Sequence, residues 1–83
     1  MGDKRKNLTE AFGAVLQDLR AQQGLTQETL AHEAETERSH ISALERAEKG
    51  PSLSTIFSLA RALKMPAGEL IGMVEKRLAD KRR

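Results

Sequence analysis

Residues 19–60 read LRAQQGLTQETLAHEAETERSHISALERAEKGPSLSTIFSLA, and the order of helix formers and helix breakers in this segment indicates the architecture of the chain. Glycine and proline, which interrupt helices, divide it at Gly24 and at Gly50-Pro51. Between these breaks, the apolar spacing predicts two short helices, from about Gln27 to Ala34 and from about Glu37 to Ala47. Two short helices joined by a tight turn are therefore expected at the centre of the chain.

The sequence on either side predicts three further helices and no strand. The first runs from about residue 8 to Gln23, the fourth begins after Ser52 as its cap, and the fifth runs from about Ala67 into a basic tail. Eleven alanines and eleven leucines favour helix, whereas only five residues are valine or isoleucine. The expected fold class is all-α, with five helices.

The composition of the 83-residue chain excludes several classes of function. The chain has no cysteine and only two histidines, so disulfides, thiolate metal sites and a zinc site are not expected. It lacks tryptophan and tyrosine, which argues against an aromatic ligand pocket, and no cofactor is predicted. No signal peptide and no apolar run of membrane-spanning length is present, so a cytoplasmic protein without a membrane partner is expected.

The formal net charge of +2 is unevenly distributed. Residues 1–6 and 76–83 are strongly basic, whereas residues 7–75 hold six basic and ten acidic side chains. Basic ends on a mildly acidic body can contact phosphates. The alternative is that both ends are disordered, solubilising tails.

The predicted third helix has little apolar surface. Ile41 and Leu44 are its only large apolar residues and define its buried face. The rest of the helix carries small side chains beside long hydrogen-bond donors, namely Arg38, Ser39, His40, Ser42, Ala43 and Arg46. Such a face can lie in a DNA major groove, where arginine and serine read base edges, whereas the alternative is an ordinary solvated face.

The chain resembles the helix-turn-helix domain of the phage-repressor and Cro-like (XRE) family of transcriptional regulators. The pattern of that family runs Leu-Arg, Gly-Leu-Thr/Ser-Gln, Leu-Ala, Ile-Ser, Leu/Ile-Glu, Pro-Ser-Leu and Leu-Ala-x-Ala-Leu. The corresponding residues are Leu19-Arg20, Gly24-Leu25-Thr26-Gln27, Leu30-Ala31, Ile41-Ser42, Leu44-Glu45, Pro51-Ser52-Leu53 and Leu59-Ala60-Arg61-Ala62-Leu63. Each piece alone is weak, but the ordered set is specific.

The resemblance implies a compact, lambda-repressor-like domain of five helices over residues 8–75. Its second and third helices would form the helix-turn-helix, with the third lying in the major groove. Residues 1–7 would then be a basic N-terminal arm, and residues 76–83 a basic extension of the fifth helix.

The resemblance also implies roles in DNA binding. Gln27 matches a phosphate-contacting position at the start of the second helix. Arg38 and Ser39 match the first base-contacting positions, and Arg38 can bind O6 and N7 of guanine. The alternatives are that Gln27 is an ordinary surface residue and that Arg38 pairs with Glu35 or Glu37. The further implied contacts are His40, Ser42, Ala43 and Arg46, with Lys49 on a phosphate.

Other polar residues of the motif are not assigned to DNA. The resemblance implies that Arg20 and Glu45 form an ion pair between the first and third helices. His32 and His40 have no carboxylate in an evident triad, so no enzymatic activity is predicted. His32 is expected to be solvated on the second helix.

The sequence departs from the family pattern at three helix ends. Glu35 stands where the turn usually has glycine and is expected to need a left-handed backbone. Ala47 stands where glycine usually ends the third helix, so that helix is expected to run on toward Gly50. Glu37, rather than serine, threonine or aspartate, stands at the start of the third helix.

The predicted function is a sequence-specific, DNA-binding transcriptional regulator. One short recognition helix reads few base pairs, so a homodimer on a palindromic operator is expected. Its interface is predicted on the fifth helix, at Leu70, Ile71, Val74 and Leu78. The alternatives are an antitoxin whose partner is a toxin, and the controller of a restriction–modification system. RNA polymerase would be a further protein partner of a regulator.

Overall fold

A computed structural model describes the backbone of residues 4–81 and the side chains of residues 6–80. The described chain forms five helices and no strand, which confirms the predicted fold class. Their bounds are Lys4–Gln22 for α1, Gln27–Glu33 for α2, Arg38–Glu45 for α3, Leu53–Ala62 for α4 and Ala67–Lys81 for α5.

Two of these helices are capped at their N-terminus by a hydroxyl side chain. The Thr26 side chain accepts a hydrogen bond from the backbone N–H of Thr29 at 3.0 Å and caps α2. Ser52 caps α4 in the same way, accepting from the N–H of Thr55 at 3.1 Å. The side chain of Glu37 forms no such bond at the start of α3. Helix α3 therefore begins without a side-chain cap.

Each of the first four helices ends in the same turn. The second residue after the helix adopts a left-handed conformation, and two backbone N–H groups bond back to the last turn. Glycine occupies that position only once; the four residues are Gly24, Glu35, Ala47 and Lys64, with φ of 69°, 58°, 61° and 62°.

The ends of α2 and α3 can be compared with the predictions made for Glu35 and Ala47. The left-handed backbone predicted for Glu35 is confirmed. The prediction that α3 runs on toward Gly50 is wrong, because Ala47 itself takes the left-handed conformation and the helix ends at Glu45. The short loop after α3 therefore forms although its left-handed position holds alanine and not glycine.

The core lies where α1 packs on α3 and α5, and where α2 packs on α3 and α4. Sixteen apolar residues are buried among the described side chains: Ala11, Phe12, Val15, Leu16, Leu19, Leu30, Ala31, Ala34, Ile41, Leu44, Leu59, Ala60, Ala62, Leu63, Leu70 and Val74. Helix α3 contributes only Ile41 and Leu44, both fully buried. Its remaining side chains are thus left for other contacts.

A glycine allows α1 to approach α3 closely. A methyl group added at Gly13 would lie 2.5 Å from the carbonyl oxygen of Leu44 and 2.9 Å from that of Glu45. No side chain other than hydrogen fits at this crossing without a backbone shift. Gly13 therefore fixes how closely α1 supports the end of α3.

The two ends of the domain differ from the sequence-based prediction. Helix α1 begins at Lys4, so the backbone of residues 4–7 belongs to the helix instead of preceding it.

The predicted interface residues of α5 divide between core and surface. Leu70 and Val74 are buried inside the protomer as part of its core, whereas Ile71 is exposed and Leu78 is half-buried.

Candidate nucleic-acid interface

The outer face of α3 is polar and accessible. Arg38 and Ser39 at its start are exposed, as is Arg46 just after its last residue. Ser42 and Ala43 are half-buried between them. The buried pair Ile41 and Leu44 turns this face outward, so the predicted base-contacting residues lie on one side of the helix.

An ion pair joins α1 to the last residue of α3. Nε of Arg20 lies 2.6 Å from Oε2 of Glu45, and its Nη2 donates to Oε1 at 3.1 Å. The third nitrogen of Arg20, Nη1, donates to the backbone carbonyl of Leu25 at 2.8 Å. Hydrogen bonding to Glu45 raises the pKa of Arg20 above its ordinary value. The pair therefore ties α3 both to α1 and to the turn that leads into α2.

Gln27, the first residue of α2, lies between this ion pair and the start of α3. Its Nε2 donates to Oε1 of Glu45 at 3.0 Å, and its Oε1 accepts from Nη1 of Arg38 at 3.2 Å. The partner of Arg38 is therefore Gln27 and not a neighbouring glutamate, and Glu35 instead lies 3.4 Å from Arg61. The Gln27 amide is engaged by protein groups on both sides.

A surface groove runs along the other flank of α3. It has a volume of about 430 Å³ and lies between the helix and the loop that follows it. The sequence-predicted residues Ser39, His40, Ala43 and Lys49 line it, together with Thr36 and Glu37, which the prediction did not assign to DNA. The structure therefore brings Lys49 to the same groove as residues of α3.

His40 has a partner on the protein side of this groove. Its Nδ1 lies 2.8 Å from Oγ1 of Thr36, in the turn between α2 and α3. The residue is half-buried and also borders a smaller polar pocket that Ser54 and Thr55 of α4 help to form. Its Nδ1 is thus engaged by the turn between α2 and α3.

The basic start of α1 lies close to the loop after α3. A methyl group added at Gly50 would be 3.5 Å from Oγ1 of Thr9, so the second turn of α1 contacts this loop. Lys6 is exposed one turn earlier on α1, and Lys49 is exposed in the loop. Exposed lysines from two separate parts of the sequence therefore lie within a few residues of this contact.

An apolar surface lies apart from α3, and only part of it was predicted. A groove of about 540 Å³ separates α1, α4 and α5 and is lined by Leu8, Thr9, Phe12, Gly50, Pro51, Ile56, Ile71, Val74, Glu75 and Leu78. The exposed large apolar side chains of the described chain are Leu8, Ile71, Leu53 and Phe57, and the first two border this groove. We call these four residues the apolar face.

The described residues contain neither a cluster of metal-ligating side chains nor a membrane-spanning helix. No group of three or more histidine, aspartate or glutamate side chains among them is placed to hold a metal ion. None of the helices in the described part combines the length and hydropathy needed to cross a bilayer. Every buried side-chain nitrogen and oxygen described has a hydrogen-bond partner.

The helix-turn-helix family model matches residues 16–70, which include all of α2, α3 and α4. The chain belongs to this family of XRE-type transcriptional regulators. An uncharacterised HTH-type transcriptional regulator of Sinorhizobium fredii is 31% identical over 65 residues, which cover 78% of this chain and 84% of the relative.

Two solved structures are similar to this regulator over most of its length. The clp gene regulator ClgR of Corynebacterium glutamicum superimposes with a TM-score of 0.84 at 29% identity, covering 90% of this chain and 80% of that one. The restriction–modification controller protein C.AhdI of Aeromonas hydrophila superimposes with a TM-score of 0.72 at 40% identity, covering 75% of this chain and 94% of that one.

Proposed function

We propose that this regulator binds a palindromic operator as a homodimer and reads it with α3 in the major groove. The observation that carries the proposal is the exposed polar face of α3 on a helix whose two apolar residues, Ile41 and Leu44, are fully buried. A helix anchored in this way can enter a groove without exposing the core. No catalytic role is assigned to any residue, and the proposed site of action is the cytoplasm.

The proposal divides the polar residues between base reading and anchoring. Arg38 and Ser39 read base edges from the start of α3, with Ser42, Ala43 and Arg46 further along. Lys49 contacts the phosphate backbone from the loop after α3, and His40 faces the same groove. Gln27 is bonded to Glu45 and Arg38 in the free protein, so its contribution to phosphate binding is made through its backbone N–H at the start of α2.

The proposed dimer uses the apolar face. Leu53 and Phe57 are 71% and 59% exposed and lie one turn apart on α4, and Leu8 and Ile71 are 50% and 42% exposed. These side chains would be removed from water at an interface. Leu70 and Val74, by contrast, are already buried within the protomer. The proposal requires that two-fold pairing of this face place two copies of α3 on successive major grooves, roughly 34 Å apart.

Selection from a pool of random duplexes, followed by a binding assay on the selected sequence, tests the proposal. We expect an inverted repeat whose half-sites are one helical turn apart. Affinity for the selected duplex should exceed that for a scrambled duplex by at least about 10³-fold at physiological salt. Failure to enrich any sequence would refute the proposed function.

A second candidate function is control of a restriction–modification system. The observation that favours it is the 40% identity to C.AhdI, which is such a controller. A methyltransferase or endonuclease reading frame beside this gene, with specific binding of the chain to the DNA upstream of it, would support this function. Binding upstream of genes of another kind would favour the general regulator.

A further inference from the structure

The Glu45 carboxylate of the Arg20–Glu45 ion pair also bonds to a residue on the side of the molecule proposed to read DNA. Glu45 has a side chain that is 4% exposed, and besides Arg20 it accepts a hydrogen bond from Nε2 of Gln27 at 3.0 Å. The other end of the same amide accepts from Nη1 of Arg38 at 3.2 Å. One hydrogen-bonded path therefore leads from a buried carboxylate to an exposed guanidinium.

The chemistry of the two outer groups fixes the direction of this path. An ionised carboxylate accepts hydrogen bonds but cannot donate, whereas a guanidinium donates but cannot accept. Gln27 has one amide oxygen and one amide nitrogen, so a single orientation satisfies Glu45 and Arg38 together. Rotating the amide by a half turn would set oxygen against carboxylate and amide hydrogens against guanidinium.

We propose that Glu45 is a positioning residue for base readout, because it fixes the Gln27 amide that holds Arg38 in place before DNA binds. The inference rests on the proposed function, in which Arg38 reads a guanine. Gln27 occupies Nη1 of Arg38, which leaves Nε and Nη2 for the two guanine acceptors. A side chain that is already ordered loses less conformational entropy on binding, and this advantage is realised only at the correct base.

A matched pair of substitutions separates this role from the ion pair itself. Both Glu45→Gln and Arg20→Lys weaken the contact between α1 and α3. Glu45→Gln introduces an amide that can donate to the Gln27 oxygen, so it releases the orientation of Gln27. Arg20→Lys keeps the carboxylate and with it the orientation of Gln27.

The measured quantity is discrimination between the selected operator and the same duplex with the Arg38 guanine replaced. We expect Glu45→Gln to lower discrimination about tenfold, within the range of one bidentate base contact, and Arg20→Lys to lower it less than about twofold. In the Arg38→Ala background, Glu45→Gln should lower it no further, because the two residues act through one path. Equal losses in both single variants, or no loss in either, would overturn the proposal.

Two further measurements remain decisive where Glu45→Gln does not fold. Gln27→Met keeps the Arg20–Glu45 ion pair and the length of the side chain but removes the amide, and it should cause the same loss of about tenfold. In the free protein, NMR should find the Gln27 side-chain N–H protons protected from exchange with water. Unprotected protons, or undiminished discrimination in Gln27→Met, would contradict the inference.

Failure of the inference is distinguishable from failure of the proposed function. If no duplex is bound specifically, the proposed function is wrong, and the NMR measurement still decides whether Glu45 fixes Gln27. If the operator is bound and discrimination is intact in Glu45→Gln, only the positioning role of Glu45 is wrong.

Discussion

The α-carbon of Gly13 lies against the carbonyl oxygen of Leu44, so close that a methyl group at Gly13 would be 2.5 Å from that oxygen. This contact sets the distance between α1 and the end of the recognition helix. Because carbonyl oxygens of a helix cannot move independently of its backbone, the crossing has little capacity to adjust.

We predict that Gly13→Ala destabilises the domain by about 1–3 kcal/mol, the usual cost of overpacking. Gly72→Ala is the matched control, since Gly72 is exposed on α5 and a methyl group there would meet no atom within 4 Å. This control should raise stability by roughly 0.5–1 kcal/mol through helix propensity. Urea unfolding, monitored by circular dichroism, measures the free energy of unfolding of both variants. A Gly13→Ala variant as stable as the natural chain would contradict the close approach of α1 to α3.

Arg38→Ala and Lys49→Ala should change DNA binding in different ways. Arg38→Ala is expected to cost about 1–3 kcal/mol of specific binding and to relax the preference at one base position. Lys49→Ala should weaken binding to all sequences alike, because a phosphate contact carries no sequence information. Titration of operator and scrambled duplexes measures both. If each variant loses specific and non-specific affinity by the same factor, the assignment of Arg38 to base reading is wrong.

Phe57→Lys should dissociate the proposed homodimer without unfolding the protomer. Phe57 is 59% exposed, so the substitution leaves the core intact but places a charge in the apolar face. Sedimentation at tens of micromolar should give a dimer for the natural chain and a monomer for Phe57→Lys. Gln17→Lys, at an exposed position of α1 outside the apolar face, is the control and should stay dimeric. A natural chain that is monomeric with and without DNA would refute the interface.

Removal of residues 1–6 should reduce the salt dependence of DNA binding. The sequence has Lys4, Arg5 and Lys6 at the start of α1, whose second turn contacts the loop that holds Lys49, so we expect phosphate contacts there. The slope of log affinity against log salt should become shallower by about 0.9 for each phosphate that the shortened chain no longer neutralises. Removing Arg82 and Arg83 should change it less. Sequence preference should hardly change, and equal slopes for all three chains would mean that neither end touches DNA.

Ala47→Gly and Lys64→Gly should each stabilise the domain by about 0.5–1 kcal/mol. Both residues hold a left-handed backbone, which penalises a side chain but not glycine. Gly24→Ala is the reverse substitution at an equivalent helix end with open space around it, so it should lower stability by a similar amount. Thermal unfolding compares the three, and a loss of stability in both glycine variants would argue against this backbone strain.

The sequence predicted the helices well because their signals are local. Thr26 and Ser52 are caps, and each acts within three residues of the chain. The start of α1 was placed four residues late because its first turn is charged and carries no apolar stripe. The end of α3 was misplaced because Ala47 is a good helix former, and its side chain gives no signal of the left-handed turn that the N–H groups of Ala47 and Glu48 close.

The site was predicted less completely because much of it depends on contacts between distant residues. The position of Gln27 in the sequence gives no indication that it bonds to both Glu45 and Arg38, 18 and 11 residues away. Helical periodicity on α5 assigned Leu70 and Ile71 to one interface, although one lies in the core and the other on the surface. Periodicity gives the direction of a side chain but not which neighbour covers it.

Under the proposed function, operator preference and folding are largely separable in this domain, because α3 contributes only two side chains to the core. Substitutions on the outer face of α3 can alter the recognised sequence while Ile41 and Leu44 keep the helix in place. Duplicated copies of such a gene can therefore diverge in target without passing through unfolded intermediates. The same separation makes the domain a suitable scaffold for libraries that vary the outer face and select new operators.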